Sequence, residues 1–438
     1  MDEDALILVA LAVAAYGLLS RRLQGGMLTL PLLFVAFGLA VGDGGLGIAE
    51  IRPEQGVIHL VAEATLILVL FTDASRIDLG RLVADHTLPL RMLLFGLPLT
   101  VAAGAAAALL LFPQFTLAEA ALLGAILAPT DAALGLAVVS SALVPVRIRQ
   151  ALNVESGLND GLVLPLVLVC ALWVGGPAAE AVAGVSGTAD LVRFALAQVV
   201  LGPLVGGLVG WAGARLIDAA SQRGWMTDGF QGLASLALAV LAFALAERVG
   251  GNGFIAAFAA GLAFGHAIRV RGDFIYAFME SEGQFLTLLT FLVFGAAMLP
   301  EALPHLSWTI LAYAVLSLTV LRMVPVALSL LGSGVALGTT GFLGWFGPRG
   351  LASILFALLI VERYDLARAQ ELLAITVVTV ALSVLLHGIS AAPLARAYGR
   401  LMQGRLDRDR PPGPEHRPVS EMRVRHRYGN GEGGRNGR

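Results

Sequence analysis

Long apolar runs separated by short polar connectors make up most of this chain. A helix of about 17–25 mainly apolar residues crosses a bilayer, and the apolar runs predict thirteen such spans. The predicted spans cover residues 4–20, 27–42, 57–74, 90–112, 119–142, 152–174, 192–217, 229–248, 251–267, 282–299, 307–331, 342–361 and 371–394. The pattern therefore predicts an all-α polytopic membrane protein.

Two of the predicted spans are interrupted near their middle by residues that break helices. The interruptions are APTD at 128–131 in the fifth span and GPRG at 347–350 in the twelfth. Because they lie seven spans apart, they are matching members of two inverted six-helix repeats, about 1–175 and 229–395, joined by a linking helix at about 192–217. Such interruptions indicate a transporter's binding site. The alternative is two ordinary proline kinks.

Composition supports a membrane protein and argues against a soluble one. Apolar residues make up 57% of the 438 residues, 14% are charged, and the mean hydropathy is +0.82. These values lie outside the range of soluble domains. The abundant glycines are expected where membrane helices pack closely. The single cysteine, Cys170, lies in an apolar run and cannot form a disulfide within the chain.

The arginines predict the orientation of the chain. All 29 basic residues are arginine, and cytoplasmic connectors carry an excess of basic residues. Most connector arginines follow odd-numbered spans, so the N-terminus is predicted outside and the C-terminus in the cytoplasm of a cell (inner) membrane. Residues 1–395 form the predicted transmembrane domain. The polar, arginine-rich residues 396–438 form a predicted disordered cytoplasmic tail near the lipid surface.

Polar residues on the sixth span predict a binding site. Ser156 and Asp160 share one face of a helix, with Asn159 beside them. A short loop joins the fifth and sixth spans, so Thr130 and Asp131 are expected to face this stripe near the bilayer centre. Carboxylate, hydroxyl and carbonyl oxygens are the ligands that hard cations prefer. The prediction is an ion- and proton-binding site, with Na+ held by Asp131, Asp160, Ser156 and Thr130.

Two buried carboxylates suit proton-coupled antiport. Burial and mutual repulsion favour the neutralised form of such a pair, which then holds either a proton or a cation. The structural alternative makes Asp160 a hydrogen-bond partner between helices. No His or Cys cluster has the spacing of a soft-metal site, and without lysine no GxxxxGK[ST] phosphate loop exists. We therefore expect no cofactor, no nucleotide and no nucleic acid.

Four more charged residues lie in or near the predicted spans. Glu155 needs a partner at membrane depth, and Arg349 at the second interruption is the natural one, which predicts a structural ion pair. Arg322 in the eleventh span either reaches the cytoplasmic surface or pairs with a buried acid. Asp73 ends the third span, where it either lines the entry and helps to bind the ion or is solvated at the interface.

Four segments resemble the monovalent cation:proton antiporters, specifically the Na+/H+ exchangers of the NhaP type. They are LAPTDAAL at 127–134, NVESGLNDG at 153–161, GNGFIAAFAAGLAFG at 251–265 and GPRGLAS at 347–353. The resemblance covers about residues 1–395. It implies a thirteen-helix inverted-repeat fold with crossing discontinuous helices 5 and 12. It also implies a homodimer and a core domain that moves against a dimerisation domain.

The resemblance implies roles for individual residues. Asp160 matches the essential ion- and proton-binding carboxylate. Glu155 and Arg349 match the family's structural ion pair. Asp73 matches an acidic position, often Glu, that helps to bind the ion in some members. Electrogenic relatives carry two aspartates where this chain has Asn159 and Asp160, and a membrane lysine, so the chain resembles the electroneutral branch.

The leading hypothesis is a secondary active antiporter, and not an enzyme, that exchanges Na+ (or Li+) for H+ one for one by alternating access. K+/H+ exchange at the same residues is the second hypothesis. The third, from another class, is an intramembrane enzyme that uses Asp131 and Asp160 as a catalytic pair. The expected partners are Na+ and H+ as substrates, membrane lipid and a second copy of the chain.

Overall fold

The computed structural model is helical throughout the part of the chain that it describes, apart from the loops between helices. The described residues are 3–23, 29–42, 44–48, 56–77, 87–131, 133–183, 188–269, 273–364, 366–406 and 415. In chain order the helices are α1 (Glu3–Leu23), α2 (Leu30–Val41), α3 (Gly56–Ser75), α4 (Thr87–Leu111, with a π-helical turn at Met92–Gly96), α5 (Leu117–Ile126), α6 (Leu136–Val139), α7 (Val146–Ala183), α8 (Thr188–Gln222), α9 (Asp228–Arg248), α10 (Gly253–Ala267), α11 (Asp273–Val293, continued to residue 302 through a π-helical turn at Phe294–Met298), α12 (Trp308–Leu318), α13 (Val320–Ser329), α14 (Leu337–Trp345), α15 (Leu351–Arg363) and α16 (Ala369–Leu406).

The predicted all-helical architecture is confirmed. Seven helical stretches of the described chain are long and apolar enough to cross a bilayer, one of them formed by α12 and α13 together. Five shorter apolar helical stretches of 10–17 residues lie among them. Several helices extend beyond the predicted spans, and α7 and α16 each run for 38 residues. α16 continues through residues 396–406, which the sequence pattern assigns to the tail. The rest of the predicted tail, except residue 415, lies outside the described residues.

Both predicted interruptions are present, at 127–131 and 133–135 between α5 and α6 and at 346–350 between α14 and α15. Proline explains both of them. Pro129 and Pro348 have no N–H to donate to a helix, and the residue before a proline is disfavoured in the α conformation. The eleventh predicted span is divided as well, at Thr319 (φ −113°, ψ −94°) between α12 and α13.

Glycines let helices approach α10 closely. On α8, a Cβ at Gly206 would lie 2.0 Å from the carbonyl oxygen of Ala256, and Gly210 meets the next turn of α10 in the same way. On the other side, Gly261 of α10 lies against the carbonyl of Phe71 in α3. Such backbone contact through small residues is typical of membrane helices. It fixes α10 against α3, the helix that borders the candidate site.

Contacts between connectors identify the two ends of the bundle. At one end, Gln114 before α5 donates to Glu371 at the start of α16 (2.5 Å), and buried Glu119 pairs with Arg368 (3.2 Å). At the other end, residue 415 lies against the connector that precedes α14. Connectors at one end of the bundle thus alternate along the chain with connectors at the other end, as expected of a chain that crosses a membrane repeatedly.

We predict that Gly206→Ala lowers the free energy of unfolding by about 1–3 kcal/mol, because the added methyl group separates α8 from α10. The matched control is Gly207→Ala, since a Cβ at this neighbouring glycine meets nothing within 4 Å. Thermal unfolding in detergent micelles measures the difference. Equal melting temperatures for the two variants would contradict the close packing of α8 on α10.

Candidate functional site at the crossing of the two interruptions

The two interruptions cross and are joined by hydrogen bonds. The Asp131 N–H donates to the carbonyl oxygen of Pro348 (2.8 Å). In return, the N–H of Leu351, the first residue of α15, donates to Asp131 Oδ2 (2.8 Å). The first interruption therefore caps the helix that starts at the second one. The carboxylate of Asp131 lies at the positive end of the α15 dipole, where a negative charge is stabilised.

Asp131 is held from a second direction as well. The Ala133 N–H donates to Oδ1 (2.7 Å), and a Cβ at Gly350 would lie 2.1 Å from Oδ2. Glycine at position 350 therefore leaves the room that the carboxylate occupies. Both oxygens accept backbone N–H groups, which makes Asp131 a structural residue of the crossing. The predicted contact of Asp131 with a cation stays a prediction.

Arg349 lies at the centre of the crossing and is fully buried. Its Nη1 donates to the carbonyl oxygens of Ala128 and Pro129, and its Nη2 lies 3.5 Å from the carbonyl oxygen of Ser317. The carbonyls at 128 and 129 lie where the helix is interrupted, so no helical N–H reaches them. The guanidinium therefore satisfies the backbone that the first interruption exposes.

The predicted ion pair between Glu155 and Arg349 is wrong. Glu155 pairs with Arg322 of α13, whose Nη2 lies 2.5 Å from Oε1 and 2.7 Å from Oε2. All three side chains are at most 1% exposed. Arg349 does not pair with Glu155 because it donates to the carbonyls of the first interruption. Of the two hypotheses for Arg322, the structure selects pairing with a buried acid.

The second interruption provides the space that Arg322 needs. A Cβ at Gly347 would lie 2.3 Å from Arg322 Nε, so a larger residue would displace the guanidinium from its position beside Glu155. The two glycines of the GPRG segment therefore serve different partners. Gly347 leaves room for Arg322, and Gly350 leaves room for Asp131.

Thr130, Ser156 and Asn159 form the neutral part of the site. Ser156 Oγ donates to the carbonyl oxygen of Thr130 (2.6 Å), and Asn159 Nδ2 donates to Thr130 Oγ1 (2.7 Å). All three residues are buried. The structure thus brings together the residues that the sequence placed on facing spans. Two bonds from α7 hold the first interruption one residue before Asp131, and one of them engages the Thr130 carbonyl.

Asp160 and Asp73 lie beside this cluster and are partly exposed. Asp160 follows Ser156 by one turn on the same helix. Asp73 belongs to α3, and its carbonyl oxygen lies 3.8 Å from the position that a Cβ of Gly157 on α7 would take. Asp160 is thus less buried than the neighbouring Glu155, which lies in an ion pair and is 1% exposed. The ion-binding roles of Asp160 and Asp73 stay predictions.

Two residues of α16 support the second interruption, and sequence reasoning did not identify that support. The Arg349 N–H donates to Ser383 Oγ (2.7 Å). One turn later, His387 Nε2 lies 2.9 Å from the carbonyl oxygen of Trp345, the last residue of α14. Ser383 and His387 are both buried. Their spacing of four residues on an apolar helix indicates a polar stripe, but it does not indicate what the stripe contacts.

Comparison with known sequences identifies relatives across most of the chain. A profile of the family described as "Sodium/hydrogen exchanger, transmembrane" matches residues 7–397. The chain is 26% identical over 384 residues to the K(+)/H(+) antiporter NhaP of Alkalimonas amylolytica, across 86% of this chain and 63% of that protein. It is 25% identical over 401 residues to the K(+)/H(+) antiporter NhaP2 of Shewanella oneidensis, across 90% of this chain and 68% of that protein. The chain thus spans less than two thirds of the first relative.

The fold is similar to that of the sodium proton antiporter MjNhaP1 from Methanocaldococcus jannaschii. The TM-score is 0.71 at 20% sequence identity, and the match covers 90% of this chain and 98% of that one. At this identity the similarity establishes the fold alone. It confirms the predicted fold class, and with the apolar helices it indicates a multi-pass membrane protein.

We predict that the buried charges are coupled as the structure pairs them. Arg322→Met leaves Glu155 buried without a partner, which costs about 3–5 kcal/mol of stability. The double variant with Glu155→Gln should recover part of this loss, with a coupling energy of about 1–3 kcal/mol. Denaturant unfolding in micelles measures the stability of the four proteins in this double-mutant cycle: the unaltered protein, the two single variants and the double variant.

The same cycle with Arg349→Met in place of Arg322→Met is the matched control. We expect a smaller coupling to Glu155, because Arg349 donates to backbone carbonyls instead. A larger coupling for Arg349 than for Arg322 would show that the ion pair is assigned to the wrong arginine.

Proposed function

The chain belongs to the sodium/hydrogen exchanger transmembrane family, and from this premise we propose that it is a secondary active antiporter that exchanges a monovalent cation for H+. One observation carries the proposal. α7 presents a partly exposed Asp160 one turn after Ser156, and Ser156 and Asn159 hold the interrupted backbone at Thr130. A carboxylate beside hydroxyl oxygens at an interrupted helix suits a hard cation that has lost its water.

In this proposal Asp160 binds either the cation or the proton. The oxygens of Ser156 and Thr130 complete the cation's coordination, and Asn159 orients Thr130. Asp131 lies beside them as the cap of α15, and Asp73 on α3 adds an acidic group near α7. Alternating access then exposes Asp160 to one side of the membrane at a time, so each passage carries one of the two competing ions.

The charges at the crossing favour exchange of one cation for one proton. Four charged side chains build the crossing, two arginines (Arg322 and Arg349) and two acids (Glu155 and Asp131), and their charges sum to zero. Asp160 adds one negative charge, Asn159 adds none, and the charge of Asp73 is the same whichever ion is bound. One bound Na+ or one bound proton therefore neutralises Asp160 equally. The site with Na+ bound and the site with a proton bound then have the same net charge, and moving either through a low-dielectric region costs the same electrostatic free energy.

The choice of cation has two candidates. Na+ or Li+ is our first proposal, because the proposed ligands of the cation are few and all of them are oxygen atoms. K+ is the second, and the names of the two sequence relatives, both K(+)/H(+) antiporters, favour it.

The hypothesis of an enzyme with a carboxylate pair has no support from the geometry. Both oxygens of Asp131 accept backbone N–H groups, which fits a capping residue and not a catalytic acid.

The setting of the transporter is also a proposal. We infer a homodimer in the cell (inner) membrane, with the N-terminus outside and the C-terminus in the cytoplasm, from the resemblance and from the arginine pattern. No cofactor is needed, because the cation and proton gradients drive each other. The contact between residue 415 and the connector before α14 is consistent with this topology, which places both in the cytoplasm.

We predict that Asp160→Asn abolishes transport, because an amide neither releases a proton nor neutralises a cation. In everted vesicles that hold a respiration-driven pH gradient, added Na+, Li+ or K+ should dissipate the gradient with the unaltered protein only. Glu301→Gln, which neutralises an exposed acid of α11, is the matched control and should transport normally. Normal transport by Asp160→Asn would show that the site is assigned incorrectly.

We also predict that the transport rate does not respond to membrane potential. In proteoliposomes at a fixed pH gradient, valinomycin-clamped potentials of opposite sign should give the same initial rate. Valinomycin carries K+, so Na+ is the transported cation in this assay. A rate that changes with the sign of the potential would contradict one-for-one exchange.

A further inference from the structure

α14, the helix that leads into the second interruption, has no cap of its own. Its N-cap residue, Ala336, has N-cap backbone angles (φ −69°, ψ 153°), but a methyl side chain cannot accept a hydrogen bond. α5, which leads into the first interruption, is capped by its own Thr116 and Glu119, which form a capping box. The two corresponding helices therefore differ at their first turns.

Glu415 lies at the end of α14 that lacks a cap. Its Oε1 accepts the Ala336 N–H (2.8 Å) and the Thr339 hydroxyl (3.0 Å), and the residue is 4% exposed. At α5, Glu119 Oε2 likewise accepts the N–H (2.8 Å) and the hydroxyl (2.9 Å) of Thr116. Each helix thus offers one backbone N–H and one threonine hydroxyl to one carboxylate oxygen. At α14 the carboxylate comes from 79 residues along the chain.

The docked carboxylate is joined to the rest of the bundle. A carboxylate only accepts hydrogen bonds, so the Thr339 hydroxyl donates to Glu415, and the Tyr398 hydroxyl of α16 then donates to Thr339 (2.9 Å). The Tyr398 ring stacks on Phe342 of α14, with ring centroids 4.0 Å apart. Glu415, Thr339 and Tyr398 therefore form one hydrogen-bonded chain between the C-terminal segment and α16.

α14 connects this contact to the candidate site. The helix has nine residues, which is about 13 Å of length. Its far end meets His387 at the Trp345 carbonyl, just before the interruption that contains Arg349. A short helix held at both ends keeps that interruption in one position. A first turn with unsatisfied N–H groups frays, and α14 then loses one of the two contacts that hold its ends.

We propose that Glu415 is a positioning residue for transport. Glu415 supplies the cap that α14 lacks, and it thereby holds the second interruption in the geometry that the ion site requires. This inference rests on the proposed function. A carboxylate suits the position because the N-terminus of a helix carries partial positive charge. Since Glu415 touches no proposed ion ligand, its loss lowers the maximal transport rate and leaves the half-saturating cation concentration nearly unchanged.

Three variants of the full-length protein test the proposal. Glu415→Ala removes the cap. Ala336→Asp in the Glu415→Ala background places a different cap within the helix. Residue 336 already has N-cap backbone angles, so the new carboxylate accepts the N–H of residue 338 or 339. Glu421→Ala is the matched control, since it removes another acid from the same C-terminal stretch. The two readouts are deuterium uptake at amides 336–339 and the rate of cation-driven proton transport in proteoliposomes, measured against cation concentration.

For Glu415→Ala we expect roughly fivefold faster deuterium uptake at 336–339 and a similar loss of maximal transport rate, which is the typical effect of one helix cap. Ala336→Asp should restore the maximal rate and the deuterium uptake at amides 338 and 339, and Glu421→Ala should change neither readout. Unchanged deuterium uptake in Glu415→Ala would show that Glu415 does not cap α14. Faster uptake with an unchanged maximal rate would overturn the positioning role, and so would an equal effect of Glu421→Ala.

The two proposals can fail separately. If the unaltered protein transports none of the cations, the proposed function fails and the positioning role fails with it. Deuterium uptake still decides the cap in that case. If the unaltered protein transports normally and Glu415→Ala behaves like it in both readouts, only the inference about Glu415 is overturned.

Discussion

The geometry of the crossing depends on how the interrupted backbone obtains hydrogen bonds inside a membrane. Water does not reach the hydrocarbon region, so each unpaired carbonyl there costs several kcal/mol, on the order of a lost hydrogen bond in an apolar medium. Arg349 meets this need at Ala128 and Pro129 with a group that is always charged and has several donors. Because Arg349 is engaged there, Glu155 requires another positively charged partner. Arg322 of α13 is that partner.

This arrangement gives three neighbouring acids three different environments. Asp131 accepts two backbone N–H groups and caps α15. Glu155 is sealed in an ion pair. Asp160 remains partly exposed beside the neutral oxygens of Ser156 and Thr130. The proposed exchange requires one titratable group that binds the transported ion, and the environments of Asp131 and Glu155 are the reason why we propose Asp160 for that role.

The two halves of the chain cap their corresponding short helices, α5 and α14, with different residues. Both have a short helix that leads into a proline-containing interruption, and both place a carboxylate at the first turn of that helix. In the first half the carboxylate is part of the helix itself, whereas in the second half it comes from the C-terminal segment. A cap from a distant residue depends on a tertiary contact and not on the sequence of the helix itself.

Local features of the sequence were sufficient to predict the helices, both interruptions and the meeting of Thr130 with Ser156 and Asn159. Apolar runs and prolines act on the nearest few residues, and a short loop brings the fifth and sixth spans together. Tertiary structure alone decided that Arg322 and not Arg349 pairs with Glu155, and that Glu415 caps α14. Both contacts join residues far apart in the chain, 167 and 79 positions respectively. Charge alone makes either arginine a suitable partner for Glu155, so the choice follows from which guanidinium the carbonyls of the first interruption already occupy.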